Sequence, residues 1–203
     1  MATRMVTVTL ALALALASSA AARQGGKILM IVSEDESADL ELMLTKEVGV
    51  MRTLLEQAGF EVVVATATKR PLTAGSARLQ PDLKLADVVA NDYKALIMPC
   101  MATMEGTLSR EADTLIRQMA AARKPIAAQT GSVALLADAG VLSGKKYALA
   151  DRFPDLPDGV RSGDGIVRDG GIITSGICPY MATKSERPDG TSKLTEALIA
   201  ELR

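Results

Sequence analysis

The 203-residue sequence contains no histidine. That absence removes Cys–His and Ser–His catalysis, and with them His-ligated zinc and iron sites. No side chain is left that titrates near neutrality in its unperturbed state by default. Carboxylates remain as acids and bases only where burial raises their pKa. Tryptophan is also missing, and two Phe and three Tyr are the whole aromatic content, too little for platforms that stack bases or sugars. No basic cluster occurs and the formal charge is −1, which excludes nucleic acid as a partner. There are only two cysteines, Cys100 and Cys178. Internal repeats, low-complexity tracts and linkers are absent.

What is present begins with an export signal. Arg4 precedes an apolar run over 5–17, and Ser18, Ser19, Ala20, Ala21 and Ala22 supply a small-residue cleavage site. The run is shorter than the ~20 residues that span a bilayer, so an uncleaved anchor is the weaker alternative. No Cys follows it to carry a lipid. The expectation is a signal peptide over 1–22 and a periplasmic or secreted mature chain with no membrane attachment. Its removal takes one Arg from a charge of −1 and leaves −2. The remaining stretch of about 180 residues suits one domain, 26–203, with a sizeable core.

Strands and helices alternate along that domain. The apolar run over 27–32 reads as a strand covered on both faces. An acidic loop over 33–39 precedes a helix to Ala58, with Val48, Met51, Leu55 and Ala58 at helical spacing and Gly59 as its stop. Strands follow over 61–65 and 95–98, with a loop or short hairpin over 69–80. Ser109 can cap a helix through Ala122 that turns Ala112, Leu115, Ile116 and Met119 inward. A strand over 125–128, a turn over 129–132 and a helix to about Ala139 come next. Residues 146–150 read as a short strand, 166–175 as a hairpin, and Thr191 opens a last helix. The pattern predicts an α/β fold, doubly wound, with a mainly parallel sheet and helices on both faces.

Sites in such sheets form at the carboxyl ends of the strands. Strand, tight turn and helix over 125–139 have the form of a nucleophile elbow, with Gln129 expected at the apex. An amide cannot attack a carbonyl. Gln129 can instead read a polar ligand, or simply satisfy backbone groups around the turn. Thr130, Gly131 and Ser132 open the helix, whose free N–H groups favour an anion. The run Glu34, Asp35, Glu36 either binds a cation or is a solvated loop.

In order and spacing, KILMIV at 27–32, Glu47 with LLEQAGFEV at 54–62, DYKALIMP at 92–99, KPIAA at 124–128, ALLADAGVLSGKK at 134–146 and DGGIITS at 169–175 resemble the ThiJ/PfpI family. That family lies within the class I glutamine amidotransferase-like superfamily. The resemblance implies a flavodoxin-like three-layer sandwich and, as a partner, a second copy in a homodimer. It implies a Cys at the elbow, matched here by Gln129, and a Glu from the first helix, matched by Glu47 with Glu41 as second choice. The family's later His has no counterpart, and its oxyanion-pocket Gly–Gly is matched by Cys100 and Met101. The family's hydrolase, deglycase and amidotransferase-like activities are therefore not expected.

The expectation is an exported, catalytically silent protein that binds a small polar or anionic molecule in the former active-site pocket. The pocket would be lined by Gln129, Thr130, Gly131, Glu47, Cys100, Met101 and Cys178, with no catalytic residue, metal or cofactor. One alternative is a cysteine-dependent hydrolase or deglycase-like enzyme with a relocated thiol, Cys100 or Cys178. Another is a structural dimer without ligand. The two cysteines would either join across the pocket or finish buried strands as small apolar groups. A bond would close a loop of roughly 78 residues, on the order of 4 kcal/mol in the chain-entropy model.

Overall fold

The computed structural model describes residues 25–34, 39–100 and 107–203, of which 107–109 by backbone alone. The expected signal segment over 1–22, the acidic residues Asp35 and Glu36, and Met101 lie outside the described residues. Among those described, no helix is long and apolar enough to cross a membrane.

β1 (Lys27–Ile31) is central because both of its faces are apolar. Ile28 and Met30 enter one hydrophobic layer and Leu29 and Ile31 the other, all fully buried. Around it lie β2 (Glu61–Thr66), β5 (Leu83–Lys84), β6 (Ala95–Met98), β7 (Ile126–Gln129), β10 (Ile166–Asp169) and β11 (Ile172–Ser175). Their order is β10-β11-β7-β6-β1-β2-β5, every neighbouring pair parallel except the β10–β11 hairpin. A separate hairpin, β3 (Leu72–Ala74) with β4 (Ala77–Leu79), turns at Gly75 with φ +55°, a conformation that favours glycine. β8 (Lys146–Tyr147) and β9 (Val160–Arg161) form a further two-stranded sheet.

Helix α1 has three contiguous pieces: Leu40–Leu42, a π-helical stretch Met43–Val48, and Gly49–Gln57. It packs against α5 (Thr191–Glu201) on one face of the sheet, where Met43, Met51, Leu55, Leu194 and Leu198 are buried. The other face carries α2 (Thr107–Ala121) and α3 (Val133–Asp138), which bury Ala112, Leu115, Ile116, Met119, Val133 and Leu136. Each fully buried aliphatic side chain contributes ~1.5–3 kcal/mol by transfer from water. A short helix α4 (Pro179–Thr183) follows β11. The doubly wound, mainly parallel sheet is as the alternation predicted.

Three expectations need correcting. The fourth core strand ends one residue later than predicted, so Gln129 belongs to β7, paired with Ser175. The stretch over 146–150 is strand only at Lys146–Tyr147. From Ala148 the chain leaves the pairing and its N–H bonds the Thr174 hydroxyl instead. The third helix starts at Thr107 rather than Ser109. Gly140 does stop α3, at φ +70°, where a left-handed residue ends a helix at least cost in glycine.

Candidate functional site

The carboxyl ends of β6, β7 and β11 are neighbours in the sheet, and each is followed by a residue predicted for the site. Cys100 comes two positions after β6, Thr130 directly after β7, and Cys178 three positions after β11. Glu47 reaches the same place from α1.

The strained residue of the elbow is Thr130. Its φ of +48° lies in the left-handed region, where a β-branched side chain is an outlier costing ~1–3 kcal/mol. The expected apex, Gln129, is extended at φ −116° and fully buried. Its Nε2 donates to the Ile177 carbonyl at 2.8 Å and to Asp189 Oδ1 at 3.4 Å, and its Oε1, 3.2 Å from the Thr191 hydroxyl oxygen, shares that group's single proton with Asp189 Oδ1. Gln129 thus satisfies backbone and side-chain groups behind the elbow. Gln129 is the last residue of β7 and its side chain is taken up by these partners, whereas Thr130 leaves the strand at positive φ. Gln129→Ala should lower stability by ~1–3 kcal/mol, since it removes a buried amide with its hydrogen bonds and leaves a cavity, although the Ile177 carbonyl keeps the Gly190 N–H at 2.9 Å. A denaturant midpoint within error of the parent would contradict this.

Gly131 lets the loop after β6 close on the elbow. A Cβ at this position would lie 3.3 Å from the Cys100 carbonyl oxygen and 3.8 Å from its Sγ. Ser132 fixes the same loop by donating to the Pro99 carbonyl.

Glu47 is fully buried within the π-helical stretch, a local widening often found at functional sites. Gly49 N closes that stretch on Leu44 O. Glu47 Oε1 accepts from the Cys100 N–H at 2.8 Å, while Oε2 is buried with no partner among the described residues. Burial, reinforced by negative charge on Cys178 and Asp189 and opposed by the Cys100 N–H, holds its pKa well above the usual carboxylate range. Burial therefore favours the neutral acid, with a proton to donate, over the carboxylate. The second choice, Glu41, accepts instead from Ser76 N and Oγ and pins the β3–β4 hairpin.

The two thiols affect each other's ionisation. Cys100 is partly exposed, Cys178 is fully buried, and both are free. A hydrogen bond from the Cys100 thiol is the main cause that lowers the Cys178 pKa to about 7. The Met181 and Tyr180 N–H groups and the Thr130 hydroxyl add to it, against the effect of burial. The same bond, then burial and the nearby Glu47 and Cys178 charges, pushes the Cys100 thiol well up. Of the two thiols, Cys178 is therefore the one that ionises first. Thr130 Oγ1 is buried and finds no nitrogen or oxygen partner among the described residues; its contact is with the Cys178 sulfur.

Of the predicted residues, the fold brings Thr130, Gly131, Glu47, Cys100 and Cys178 together, and sets Gln129 behind them. Asp189 and Thr191 were missed. Thr191 donates to Asp189 Oδ1 at 2.7 Å, and its N–H does so at 3.0 Å. That turn is legible as Asp-Gly-Thr ahead of a helix, but its position beside Gln129 is tertiary. Among the described residues, no group of three or more acidic or Cys side chains could hold a metal ion.

Comparison with known proteins agrees with this architecture. The model of the DJ-1/PfpI family matches residues 26–182. No curated protein sequence matches the chain. Among solved structures, a ThiJ/PfpI domain protein from Brachyspira murdochii superposes with a TM-score of 0.67 at 15% identity, covering 87% of this chain and 95% of that one. Drosophila melanogaster DJ-1beta gives 0.61 at 24% identity, with 87% and 90% covered. Rapid Encystment Protein 24 KDa from Francisella tularensis gives 0.64 at 11%, with 88% and 99% covered. At these identities the structural likeness speaks for the fold.

Proposed function

The chain belongs to the DJ-1/PfpI family, and on that premise we propose that it is an exported, hydrolytically silent member that binds a small polar molecule over the elbow. The observation that supports this most is a pair of orphaned oxygens. Among the described residues, Glu47 Oε2 and Thr130 Oγ1 are both buried without a nitrogen or oxygen partner, and both belong to groups that interact with the Cys178 sulfur. Buried polar atoms ordinarily have partners. Neutral Glu47 and the Thr130 hydroxyl are both donors, so the complementary ligand carries an acceptor oxygen, as a carboxylate or carbonyl compound does.

The test is thermal melting of the mature chain with a panel of small carboxylates and carbonyl compounds. A ligand of this class at a hundred times its Kd adds ~2.7 kcal/mol to the native state, and Glu47→Leu combined with Thr130→Val should abolish the shift. No shift from any member, or one that persists in the double variant, would overturn the reading.

A second reading, cysteine-dependent turnover with a relocated thiol, is favoured by the thiolate character of Cys178. Full burial of that sulfur counts against it. Turnover of an ester or carbonyl substrate that Cys178→Ala abolishes would select it.

A further inference from the structure

We propose that Asp158 is a site of spontaneous isoaspartate formation, in which the Gly159 nitrogen closes a ring on the Asp158 carboxyl and the chain reopens through the side chain. This goes beyond ligand binding over the elbow and stands without it.

The chain has four Asp-Gly pairs, at 158–159, 164–165, 169–170 and 189–190. Glycine after aspartate favours ring closure, because no Cβ hinders the nitrogen and the backbone turns freely. The fold restrains three of the four carboxylates. Asp164 accepts from the Arg187 guanidinium, and Asp169 Oδ2 from the Lys146 N–H at 2.9 Å. Asp189 Oδ1 accepts from the Thr191 N–H and hydroxyl at 3.0 and 2.7 Å, and the Gly190 nitrogen is engaged on the Ile177 carbonyl at 2.9 Å. Asp158 is exposed. Among the described residues, neither its carboxylate nor the Gly159 N–H has a hydrogen-bond partner.

Packing keeps the reactive pair in place. A Cβ at position 159 would lie 2.9 Å from two ring carbons of the fully buried Tyr147, so glycine is required there. Asp158 has a φ of +63°, a left-handed conformation that Asp tolerates better than most residues. Its carbonyl accepts from the Gly144 N–H at 2.8 Å, a bond that opens when the peptide turns toward the carboxyl.

In the first step the Gly159 nitrogen attacks Cγ of the Asp158 carboxylic acid. A C–N bond forms, and the nitrogen's proton leaves with the carboxyl OH as water, giving a five-membered imide. Water then adds back at either imide carbonyl. Attack at Cγ restores aspartate. Attack at the main-chain carbonyl breaks its bond to Gly159 and leaves the backbone running through Cβ and Cγ, with a free α-carboxylate. One water leaves and one returns, so the mass is unchanged, and neither oxidant nor cofactor takes part. The added backbone atom falls just ahead of β9, whose Arg161 donates to the Ala150 and Phe153 carbonyls at 3.1 and 2.6 Å.

Trypsin separates the four pairs for measurement. Its sites divide the chain into 153–161, 162–168, 169–184 and 185–193, and Pro188 protects the bond after Arg187. The folded mature chain is held for weeks in mildly acidic buffer, digested, and compared with a sample digested at once. The expected result is a second peak of equal mass for 153–161, with electron-transfer fragments that place the β-linkage at Asp158. It should grow roughly tenfold or more faster than any such peak from the other three, the factor that one hydrogen bond to a charged group imposes. Asp158→Glu should abolish it, since the ring would need six members. Arg187→Ala should raise isomerisation at Asp164 alone. No new peak from 153–161, or equal growth in all four, would overturn the proposal. An Asp164 rate unmoved by Arg187→Ala would overturn carboxylate restraint as the cause. The comparison of four peptides from the parent chain needs no variant to fold.

Discussion

Replacing Glu47 by glutamine is expected to remove the fall in stability that the buried carboxyl imposes as pH rises above its ordinary value of 4.5. The parent carboxyl is protonated in both folded and unfolded chains below that value. Above it the unfolded chain loses the proton, while the folded chain keeps it, because burial raises the pKa. The unfolded state then binds fewer protons, so stability drops by about 1.4 kcal/mol per pH unit until the folded group titrates. Glutamine keeps an oxygen to accept from the Cys100 N–H and has nothing to titrate. The variant should match the parent near pH 4 and exceed it at pH 7. Cys178 works in the opposite sense. Its folded value of about 7 lies below the ordinary 9.0, so between these values the folded chain is ionised first and stability rises with pH. Denaturant titrations of the parent, Glu47→Gln and Cys178→Ser across pH 4–9 separate the two slopes. Identical pH profiles for parent and Glu47→Gln would contradict the assignment of a neutral buried acid.

The second large effect is kinetic. Ester, peptide and amide hydrolysis should stay at background, and Thr130→Cys should not restore it. Losing a member of a nucleophile–base pair costs ~10⁴–10⁶ in rate, and here the elbow holds a hydroxyl in a chain without His. Among the described residues that hydroxyl interacts with the Cys178 sulfur, which when ionised is itself the stronger nucleophile. A thiol placed at the apex would gain a nucleophile without a base that can return the proton to a leaving group. Gln129→Cys should do no better, because position 129 faces Ile177, Asp189 and Thr191 behind the elbow. A rise of a hundredfold or more in ester turnover for Thr130→Cys would show that Glu47 already serves as the acid–base partner.

The core was legible from the chain because its signal is local. The run at 27–32 is apolar at every position but the first, as a strand buried on both faces must be. The residues of α1 and α2 repeat at helical spacing for the same reason. The elbow was legible as strand, turn and helix, yet its apex was set one residue early. A polar Gln after Ile-Ala-Ala looks like the start of a turn, and only its tertiary partners, Ile177 and Thr191, explain a buried amide at the end of a strand. Glu47 carries a readable hint, since it lies three positions from Leu44 and four from Met51 on the inward stripe. Full burial of its carboxyl against the Cys100 N–H is tertiary and leaves no local signal. Elements as short as β5, β9 and α4 leave too few residues for any period to register.

The central claim, that the site over Thr130 takes a small acceptor-bearing molecule, is tested most directly by crystals of the mature chain soaked with the carboxylate or carbonyl compound that shifts melting most. The account predicts density for that compound with one oxygen within hydrogen-bond range of both Glu47 Oε2 and Thr130 Oγ1. Solvent alone at that position, or a compound bound elsewhere with both oxygens still unpartnered, would contradict it.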